Sequence, residues 1–363
     1  MKILIAPDKF KGSLSAREVA ENVAKGFLDV LPDAKIDIVP VADGGEGTAE
    51  VICDALDGAW MKCKARDPLG REIEARYAWI ENRKLAVMEM SEAAGMRRLA
   101  ETELDPLRAS TFGVGEMMLD AAKRGAQEII IGLGGSATND GGFGMARALG
   151  FRFFDDREEL RGPTSDLLKL TRIDRPKDLS LPKIIAAVDV KNPLLGANGA
   201  TRVFGPQKGA TEDRLEMLER SLTKLADVVA GDLKVDFRDQ PGAGAAGGLG
   251  FGLMSFCSAV IQPGFDVVAE AIGLESKMKD VDLVITGEGS LDRQTLEGKA
   301  PAGVAKLARK LGKRIFAIVG RASEDQQAGA IFDRVYELGG SIPQAPELLR
   351  ERARELAADH IAT

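Results

Sequence analysis

The sequence predicts an α/β protein: a Rossmann-like parallel-sheet domain with a second α/β domain, built on a mixed sheet, inserted into it. Two observations support this prediction. At both ends of the chain, short apolar runs alternate with segments of helical periodicity, a pattern typical of parallel sheets covered by helices. The chain also has 363 residues, which is more than one ordinary hydrophobic core accommodates, so two domains are expected.

The N-terminal part shows the β-α-β-α pattern most clearly. Apolar runs predict strands over 3–6 and 36–41. Between them, Ser15 and Glu18 have the spacing of a capping box, so a helix is expected to begin there. The pattern returns near the C-terminus, with strands predicted to end at 285 and to cover 315–319, and helices predicted over 301–311 and 346–361.

The middle of the chain follows a different pattern. Residues 60–66 and 71–80 read as strands joined by Asp67-Pro68-Leu69-Gly70, whose residue order fits a type I turn and predicts a hairpin. Further strands are predicted at 85–90, 128–133 and 184–188. We therefore place the Rossmann-like domain at 1–62 plus 266–363 and the inserted domain at 63–265, and we expect the active site in the crevice between them.

Composition excludes several classes of protein. A net charge of −7 and a pI of about 5.2 argue against general nucleic-acid binding and against an anionic membrane surface as partner. The single histidine, His360, makes a Ser-His-Asp triad or a histidine-based metal centre a poor explanation. Three cysteines without CxxC spacing, and no signal peptide or long apolar run, predict a cytoplasmic protein with reduced thiols.

Three glycine-rich segments are each expected to follow a strand: 39–48, 129–144 and 281–299. A strand, a tight glycine loop and a helix N-terminus present backbone N–H groups to an anion. Each segment also carries carboxylates. Together they predict one site for a phosphorylated ligand and a metal.

Known nucleotide-binding motifs match these segments poorly. No G-x-x-x-x-G-K-[ST] motif occurs, so ATP would not be bound by a P-loop. Residues 132–137 match G-x-G-x-x-A after a strand, but a polar run follows before the helix, which a dinucleotide-binding turn does not need. An NAD(P)-dependent hydroxy-acid dehydrogenase therefore remains a weaker alternative.

Four carboxylates, at Asp8, Asp43, Asp189 and Glu288, lie just past predicted strands, where the ligand crevice of an open α/β sheet is found. In a chain with one histidine, a carboxylate is the natural general base or Mg²⁺ ligand. An Asx turn or a helix cap is the structural alternative for each one.

Three lysines adjoin loop glycines. Lys11, Lys208 and Lys299 are candidates for phosphate contacts, with a solvated surface charge as the alternative. The small-residue run 241–248 reads either as a linker or as a tight loop that leads into a helix over 253–260. We favour the loop, because helical spacing resumes at once.

Longer motifs, in order along the chain, add a resemblance to a known family. They are APDKFKGSL at 6–14, PVADGGEGT at 40–48, GLGGSATNDGG at 132–142, FGPQKGA at 204–210, PGAGAAGG at 241–248, ITGEG at 285–289 and GKAP at 298–301. With them the chain resembles the bacterial class I glycerate kinases, from residue 1 to about residue 319.

The resemblance implies ATP-dependent phosphorylation of (R)-glycerate, or D-glycerate, to 2-phosphoglycerate, with ATP and Mg²⁺ as cofactors. Phosphorylation at the 3-position or of a related hydroxy acid stays open, as does a glycerate-binding protein without catalysis. D-glycerate and ATP are the expected partners, with no nucleic acid and no membrane; a homodimer is left open.

Chemistry and resemblance together give a set of candidate site residues. For catalysis they are Asp189, the first choice as base, then Asp43, with Lys11 and Lys208 neutralising charge. For substrate or phosphate binding they are Asp8, Ser13, Gly44, Gly45, Glu46, Gly134, Gly135, Ser136, Asn139, Asp140, Asn192 and Gln207. For the nucleotide they are Gly287, Glu288, Gly289, Asp292 and Lys299, and for the metal Glu288 and Asp189.

Overall fold

The structure is a computed structural model, and it describes residues 1–291, 299–322, 329–339 and 344–361. The chain divides into two compact units. The first comprises Met1–Asp43, Glu50–Ala55 and Pro263–Thr363, and the second comprises Gly44–Ala49 and Leu56–Gln262. Residues 44–49 and 56–62, expected in the Rossmann-like domain, thus belong to the second unit, and residues 263–265, expected in the inserted domain, belong to the first.

The elements alternate as an α/β protein requires. In chain order the described strands are β1 (Lys2–Ile5), β2 (Lys35–Ile38), β3 (Ala59–Arg66), β4 (Glu72–Ile80), β5 (Leu85–Glu89), β6 (Glu128–Gly132), β7 (Arg152–Phe154), β8 (Arg172–Asp174), β9 (Lys183–Val188), β10 (Val260–Pro263), β11 (Leu283–Leu291), β12 (Arg314–Ala322) and β13 (Arg334–Glu337). The α-helices are α1 (Ala16–Val30), α2 (Thr48–Ala55), α3 (Ser91–Ala94), α4 (Phe112–Lys123), α5 (Phe143–Ala148), α6 (Ala200–Phe204), α7 (Glu212–Leu233), α8 (Ala245–Cys257), α9 (Gly264–Ala271), α10 (Leu274–Met278), α11 (Ala300–Lys310) and α12 (Ala345–Ile361).

The first unit is built on a five-stranded sheet in the order β13-β12-β11-β1-β2. All four pairings are parallel. The capping box opens α1 as predicted: the Ser15 hydroxyl accepts from the Glu18 N–H, and the Glu18 carboxylate accepts from the Ser15 N–H. Helices α1 and α12 pack so closely that a Cβ at Gly26 would lie 2.3 Å from the Arg350 carbonyl oxygen.

The second unit is built on a six-stranded sheet in the order β10-β9-β6-β5-β4-β3. Strands β3, β4 and β5 pair antiparallel, whereas β5, β6 and β9 pair parallel, so the sheet is mixed. The predicted hairpin turn forms, with the Gly70 N–H donating to the Asp67 carbonyl oxygen at 3.0 Å. The predicted fold class is therefore confirmed, from the parallel sheet of the chain ends to the mixed sheet of the insertion.

Two local predictions differ from the structure. Strand β11 does not end at residue 285 but runs to Leu291, pairing Gly287 with Ile318 and Glu288 with Val319. Helix α8 ends at Cys257, and strand β10 then joins the six-stranded sheet instead of a helix reaching residue 260. Strand β7 pairs with β8 in a separate two-stranded sheet. In the described ranges, no helix has both the length and the apolar character needed to cross a bilayer.

Candidate active site

Two loops of the second unit pack against each other through glycines. A Cβ at Gly132 would lie 2.5 Å from the Gly44 carbonyl oxygen, and a Cβ at Gly134 would lie 2.9 Å from the Gly45 Cα. Any larger residue would therefore push the loops apart, which is the close backbone approach for which glycine is suited. We call residues 44–49 and 132–142, with Glu89 and Lys208, the glycine-loop cluster.

Glu89 fixes the first of these loops. It is the last residue of β5 and is 8% exposed, and its Oε1 accepts the N–H groups of Gly47 at 2.8 Å and Ala49 at 3.2 Å. These donors belong to the first turn of α2 and the residue before it, where backbone N–H groups lack intrahelical partners and a carboxylate is favourable. Glu89 is not among the site residues predicted from the sequence, although it lies at a strand end like Asp43 and Asp189.

Lys208 supports the second loop from behind. It lies in a single 3₁₀ turn and is 1% exposed, and its Nζ donates to Ser136 Oγ at 2.8 Å and to the Thr138 carbonyl oxygen at 2.7 Å. Burial lowers the pKa of Lys208 to about 7, and the charge of Asp140 opposes that shift. The lysine thus orients the Ser136 hydroxyl and brings a positive charge close to the glycine loop.

Asp140 organises the same loop from inside the protein. Its carboxylate accepts the Thr111 N–H and hydroxyl and the N–H groups of Gly142 and Gly144, at 2.9 to 3.1 Å. Burial raises the pKa of Asp140, and these hydrogen bonds partly counteract the effect. In this structure the side chain therefore holds the start of α5, which corresponds to the helix-cap alternative for a carboxylate in a loop.

The run 241–248 forms a tight loop, as favoured, and braces the cluster. Ala246, Gly247 and Gly248 have successive positive φ angles of 53°, 69° and 86°. A Cβ at Gly247 would lie 1.9 Å from the Thr138 carbonyl oxygen, so only glycine fits there. Asn139 donates to Thr201 Oγ1 at 3.0 Å.

Two buried side-chain oxygens of the loop 132–142 have no hydrogen-bond partner in the described part of the chain: Thr138 Oγ1 and Asn139 Oδ1. Buried polar atoms normally find partners, so unpartnered ones are often found where a ligand or water binds. They favour a ligand-binding role for this loop.

Three further predicted site residues belong to the second unit: Asp189, Asn192 and Gln207. Asp189 directly follows β9 and is exposed, and its strand is bonded to the glycine loop through the Leu133 N–H and the Ala187 carbonyl oxygen at 3.2 Å. Asn192 donates to the Asn198 carbonyl oxygen at 2.7 Å. Gln207 is exposed beside the buried Lys208.

In the first unit, three of the predicted carboxylates lie near the carboxyl end of strand β1. The Asp8 N–H donates to the Gly287 carbonyl oxygen at 2.8 Å, which places Asp8 beside Glu288. Burial, followed by the negative charge of Asp43, raises the pKa of Asp8 to about 8; the charge of Glu288 adds to the effect. We call Asp8, Asp43 and Glu288 the carboxylate cluster.

The remaining candidates of the first unit differ in their exposure and in their contacts. Lys299 lies at the N-terminus of α11, and its Nζ is 3.9 Å from the Glu288 carboxylate. Lys11 and Ser13 are exposed. Gly287 and Gly289 lie inside β11, where a Cβ at Gly287 would be 2.3 Å from the Ile318 carbonyl oxygen. Asp292 lies outside the described residues.

The carboxylate cluster has the right chemistry for Mg²⁺, which prefers oxygen ligands and commonly takes one or two carboxylates together with substrate phosphates. In the ranges that the structure describes, no group of three or more His, Cys, Asp or Glu side chains is arranged to enclose a metal ion. A magnesium ion shared with a nucleotide fits these residues better than one enclosed by protein ligands alone.

Comparison with known proteins identifies the family. The model of the glycerate kinase family matches residues 3–362. The chain is 45% identical to the glycerate 2-kinase of Escherichia coli (strain K12), over 90% of this chain and 86% of that protein. It is 42% identical to a glycerate kinase of Halalkalibacterium halodurans, over 98% of this chain and 97% of that protein. The chain belongs to the glycerate kinase family.

A solved structure agrees with this assignment. A crystal structure described as that of a glycerate kinase 2 from Salmonella typhimurium LT2 superposes with a TM-score of 0.91 at 41% identity, covering 100% of this chain and 98% of the other. The protein is thus a phosphotransferase of the glycerate kinase family, and the family and reaction class predicted from the motifs are confirmed.

Proposed function

We propose that the protein transfers the terminal phosphoryl group of ATP to the 2-hydroxyl of (R)-glycerate, giving 2-phosphoglycerate. The observation that carries the proposal is the 45% identity, over 90% of the chain, to a protein named glycerate 2-kinase. The geometry is compatible with phosphoryl transfer, because that reaction depends mainly on positioning and on neutralising charge.

The glycine-loop cluster is proposed to bind anionic oxygens of the substrate. Backbone N–H groups of 134–136 and 44–46 supply donors, and Ser136, held by Lys208, supplies a hydroxyl. Because Lys208 is almost fully buried, its role would be to orient Ser136 and to lend positive charge rather than to contact glycerate through an exposed ammonium group. Gln207, Asn192 and Asn139 are further proposed contacts.

The carboxylate cluster and β11 are proposed to serve the nucleotide. Glu288, with Lys299 near it, would face ATP and its magnesium ion, and Gly287 and Gly289 would allow β11 to pack closely against residue 318 and against residues 10–11. When bound, Mg²⁺ would neutralise charge on the phosphates. Asp43 would add negative charge for such an ion, and Lys11 is proposed to neutralise the transferred group.

Asp189 is proposed as the base that accepts the proton of the glycerate hydroxyl. It is exposed at the carboxyl end of β9, the strand that pairs with the strand before the glycine loop. We expect Asp189→Asn to lower kcat more than about tenfold, which corresponds to about 1.4 kcal/mol in the barrier. A kcat within tenfold of the original enzyme would transfer the role to Asp43.

A coupled assay tests the reaction itself. The protein is supplied with ATP, Mg²⁺ and D-glycerate, and its product passes directly to enolase without phosphoglycerate mutase. Turnover by enolase supports phosphorylation at the 2-position. ADP release without enolase turnover would indicate the 3-position or another acid, and the absence of ADP release would reject glycerate as the substrate.

A further inference from the structure

The second unit contains a cavity of about 330 Å³, open to solvent, next to the hairpin formed by β3 and β4. Its size is at the lower end of ordinary ligand pockets, so it suits a small molecule. Its charged lining comprises Lys62, Glu74, Arg76, Glu92, Arg97 and Arg98. None of these residues belongs to the glycine-loop cluster.

The lining is unbalanced in charge. Lys62 pairs with Glu74 at 2.7 Å, which accounts for one cation. The three arginines share one carboxylate, that of Glu92, at 2.7 Å for Arg97, 2.9 Å for Arg98 and 3.4 Å for Arg76. Four cations and two carboxylates therefore leave a net charge of +2 on the lining side chains, which matches a compact dianion.

The guanidinium groups are held in place before any ligand arrives. Arg97 Nε donates to the Ser91 carbonyl oxygen at 3.1 Å, and Arg98 Nε donates to the Glu92 carbonyl oxygen at 2.7 Å. The Arg76 guanidinium lies over the Trp60 ring, 4.3 Å from its centroid. Each guanidinium has five N–H donors, so these contacts leave donors for a ligand. Little side-chain entropy then remains to be lost when a ligand binds.

From this arrangement we propose that the cavity binds a phosphate group, either as free phosphate or as the ester of a small metabolite. Planar guanidinium groups bind phosphate through paired hydrogen bonds, and three of them meet here around a single carboxylate. The Glu92 carboxylate occupies the centre of the arginines as an internal anion, and the bound phosphate would share its donors.

The segment that carries the arginines is bonded to the glycine loop. Gly95 forms a β-bridge with Ser136, and the Met96 N–H donates to the Gly135 carbonyl oxygen at 2.9 Å. Arg97, which would bind the phosphate, therefore directly follows the residue that donates a hydrogen bond to the glycine loop.

Trp60 provides the measurement, because Arg76 covers its ring. Intrinsic fluorescence is titrated with sodium phosphate at constant ionic strength, with sodium chloride as reference and Trp60→Phe to assign the signal. We expect a saturable change with phosphate alone. Arg97→Ala should weaken the apparent affinity at least about tenfold, because a charge-assisted hydrogen bond is lost. Glycerol 3-phosphate is titrated in parallel. Tighter binding of glycerol 3-phosphate would identify a phosphate ester as the preferred ligand, and tighter binding of phosphate would identify the free anion.

Two further variants make the test specific. Glu92→Gln raises the net charge of the lining and should tighten phosphate binding, an effect that a misfolded variant cannot imitate. Arg152 is a matched control, because it also pairs with a glutamate and stacks on an aromatic ring but lies outside the cavity, and Arg152→Ala should bind phosphate like the original protein. The proposal is overturned if phosphate gives no saturable signal, if Arg97→Ala binds it equally well, or if Glu92→Gln binds it more weakly.

Discussion

At the residue scale, Asp8 should give the stability of the protein a distinctive dependence on pH. Its pKa is raised from 3.8 to about 8, so between these values the folded state holds a proton that the unfolded state releases. The resulting contribution to the free energy of unfolding is fully present below about pH 4 and is lost as the pH rises towards 8. Urea unfolding of the original protein and of Asp8→Asn, compared from pH 5 to pH 8, should show this extra decline only in the original protein.

A second variant identifies the cause. The charge of Asp43 contributes to the raised pKa of Asp8, so Asp43→Asn should move the decline to lower pH. Equal pH dependence in all three proteins would show that Asp8 titrates near its ordinary value.

Lys208 is expected to act on activity more than on stability. Lys208→Met removes the donor to Ser136 Oγ and to the Thr138 carbonyl oxygen, and kcat should fall on the order of 10²-fold, as when one pre-oriented donor is lost from an active site. The free energy of unfolding should change by less than about 3 kcal/mol, because removing a buried ammonium group offsets the lost hydrogen bonds.

The pH dependence of stability should have the opposite sign to that of Asp8. Since burial lowers the pKa of Lys208 to about 7, the original protein gains stability from this group as the pH rises from about 7 towards 10.5. Lys208→Met should lack that gain. Lys64→Met, at an exposed position of β3, is the matched control and should leave kcat unchanged. If kcat of the Lys208 variant stays within tenfold, Ser136 does not depend on this lysine.

Single residues differ in how well their roles could be predicted. Ser15 and Glu18 were assigned correctly because a capping box is local in sequence. For Asp140, predicted to bind ligand, the sequence did not reveal that its oxygens also accept hydrogen bonds from Thr111 and from loop N–H groups that only the folded chain brings near. Glu89 was missed for the same reason, since its partners lie about forty residues earlier.

At the scale of elements, the left-handed kink at 246–248, near the start of α8, should tolerate no side chain at Gly247. Gly247 has a φ of 69°, and a Cβ there would lie 1.9 Å from the Thr138 carbonyl oxygen. Left-handed strain and overpacking together should make Gly247→Ala lose about 2–5 kcal/mol in urea unfolding. Gly231→Ala is the control: it lies in helix α7 with open space around it and should gain about 0.5–1 kcal/mol. A loss of less than about 1 kcal/mol in the free energy of unfolding of Gly247→Ala would contradict the close packing of Gly247 on residue 138.

Strand β11 shows why element boundaries were harder to predict than element types. Its glycines suggested a loop from residue 286, because glycine is depleted in strands. In the sheet, however, glycine allows close contact: a Cβ at Gly287 would meet the Ile318 carbonyl oxygen at 2.3 Å, and one at Gly320 would meet the Gly289 carbonyl oxygen at 2.5 Å. That requirement comes from the neighbouring strand and is invisible in the local sequence.

At the scale of the whole molecule, hydrophobic periodicity sufficed for the fold class and for the insertion of one α/β unit into another. Periodicity did not suffice to assign residues 44–49 to the correct unit. This segment follows the strand pattern of the chain end, but it belongs to the second unit, where Glu89 and Gly132 contact it. Such contacts link segments far apart in sequence, which periodicity does not detect.

Each unit has its own hydrophobic core, and this leads to a prediction about unfolding. Leu356 is fully buried in the core of the first unit, and Leu222 is fully buried in that of the second. Truncating either to alanine should cost about 2–5 kcal/mol. Both tryptophans, Trp60 and Trp79, lie in the second unit, so tryptophan fluorescence reports on that unit alone, whereas far-UV circular dichroism reports on both.

Because chains with more than one core need not unfold in a single step, we expect the two variants to separate the signals. In urea, Leu222→Ala should move the fluorescence transition to lower concentration. Leu356→Ala should leave it in place while part of the circular dichroism signal is lost earlier. A fluorescence transition shifted equally by both substitutions would mean that the two cores unfold as one cooperative structure, and stability measured at any residue would then describe the whole chain.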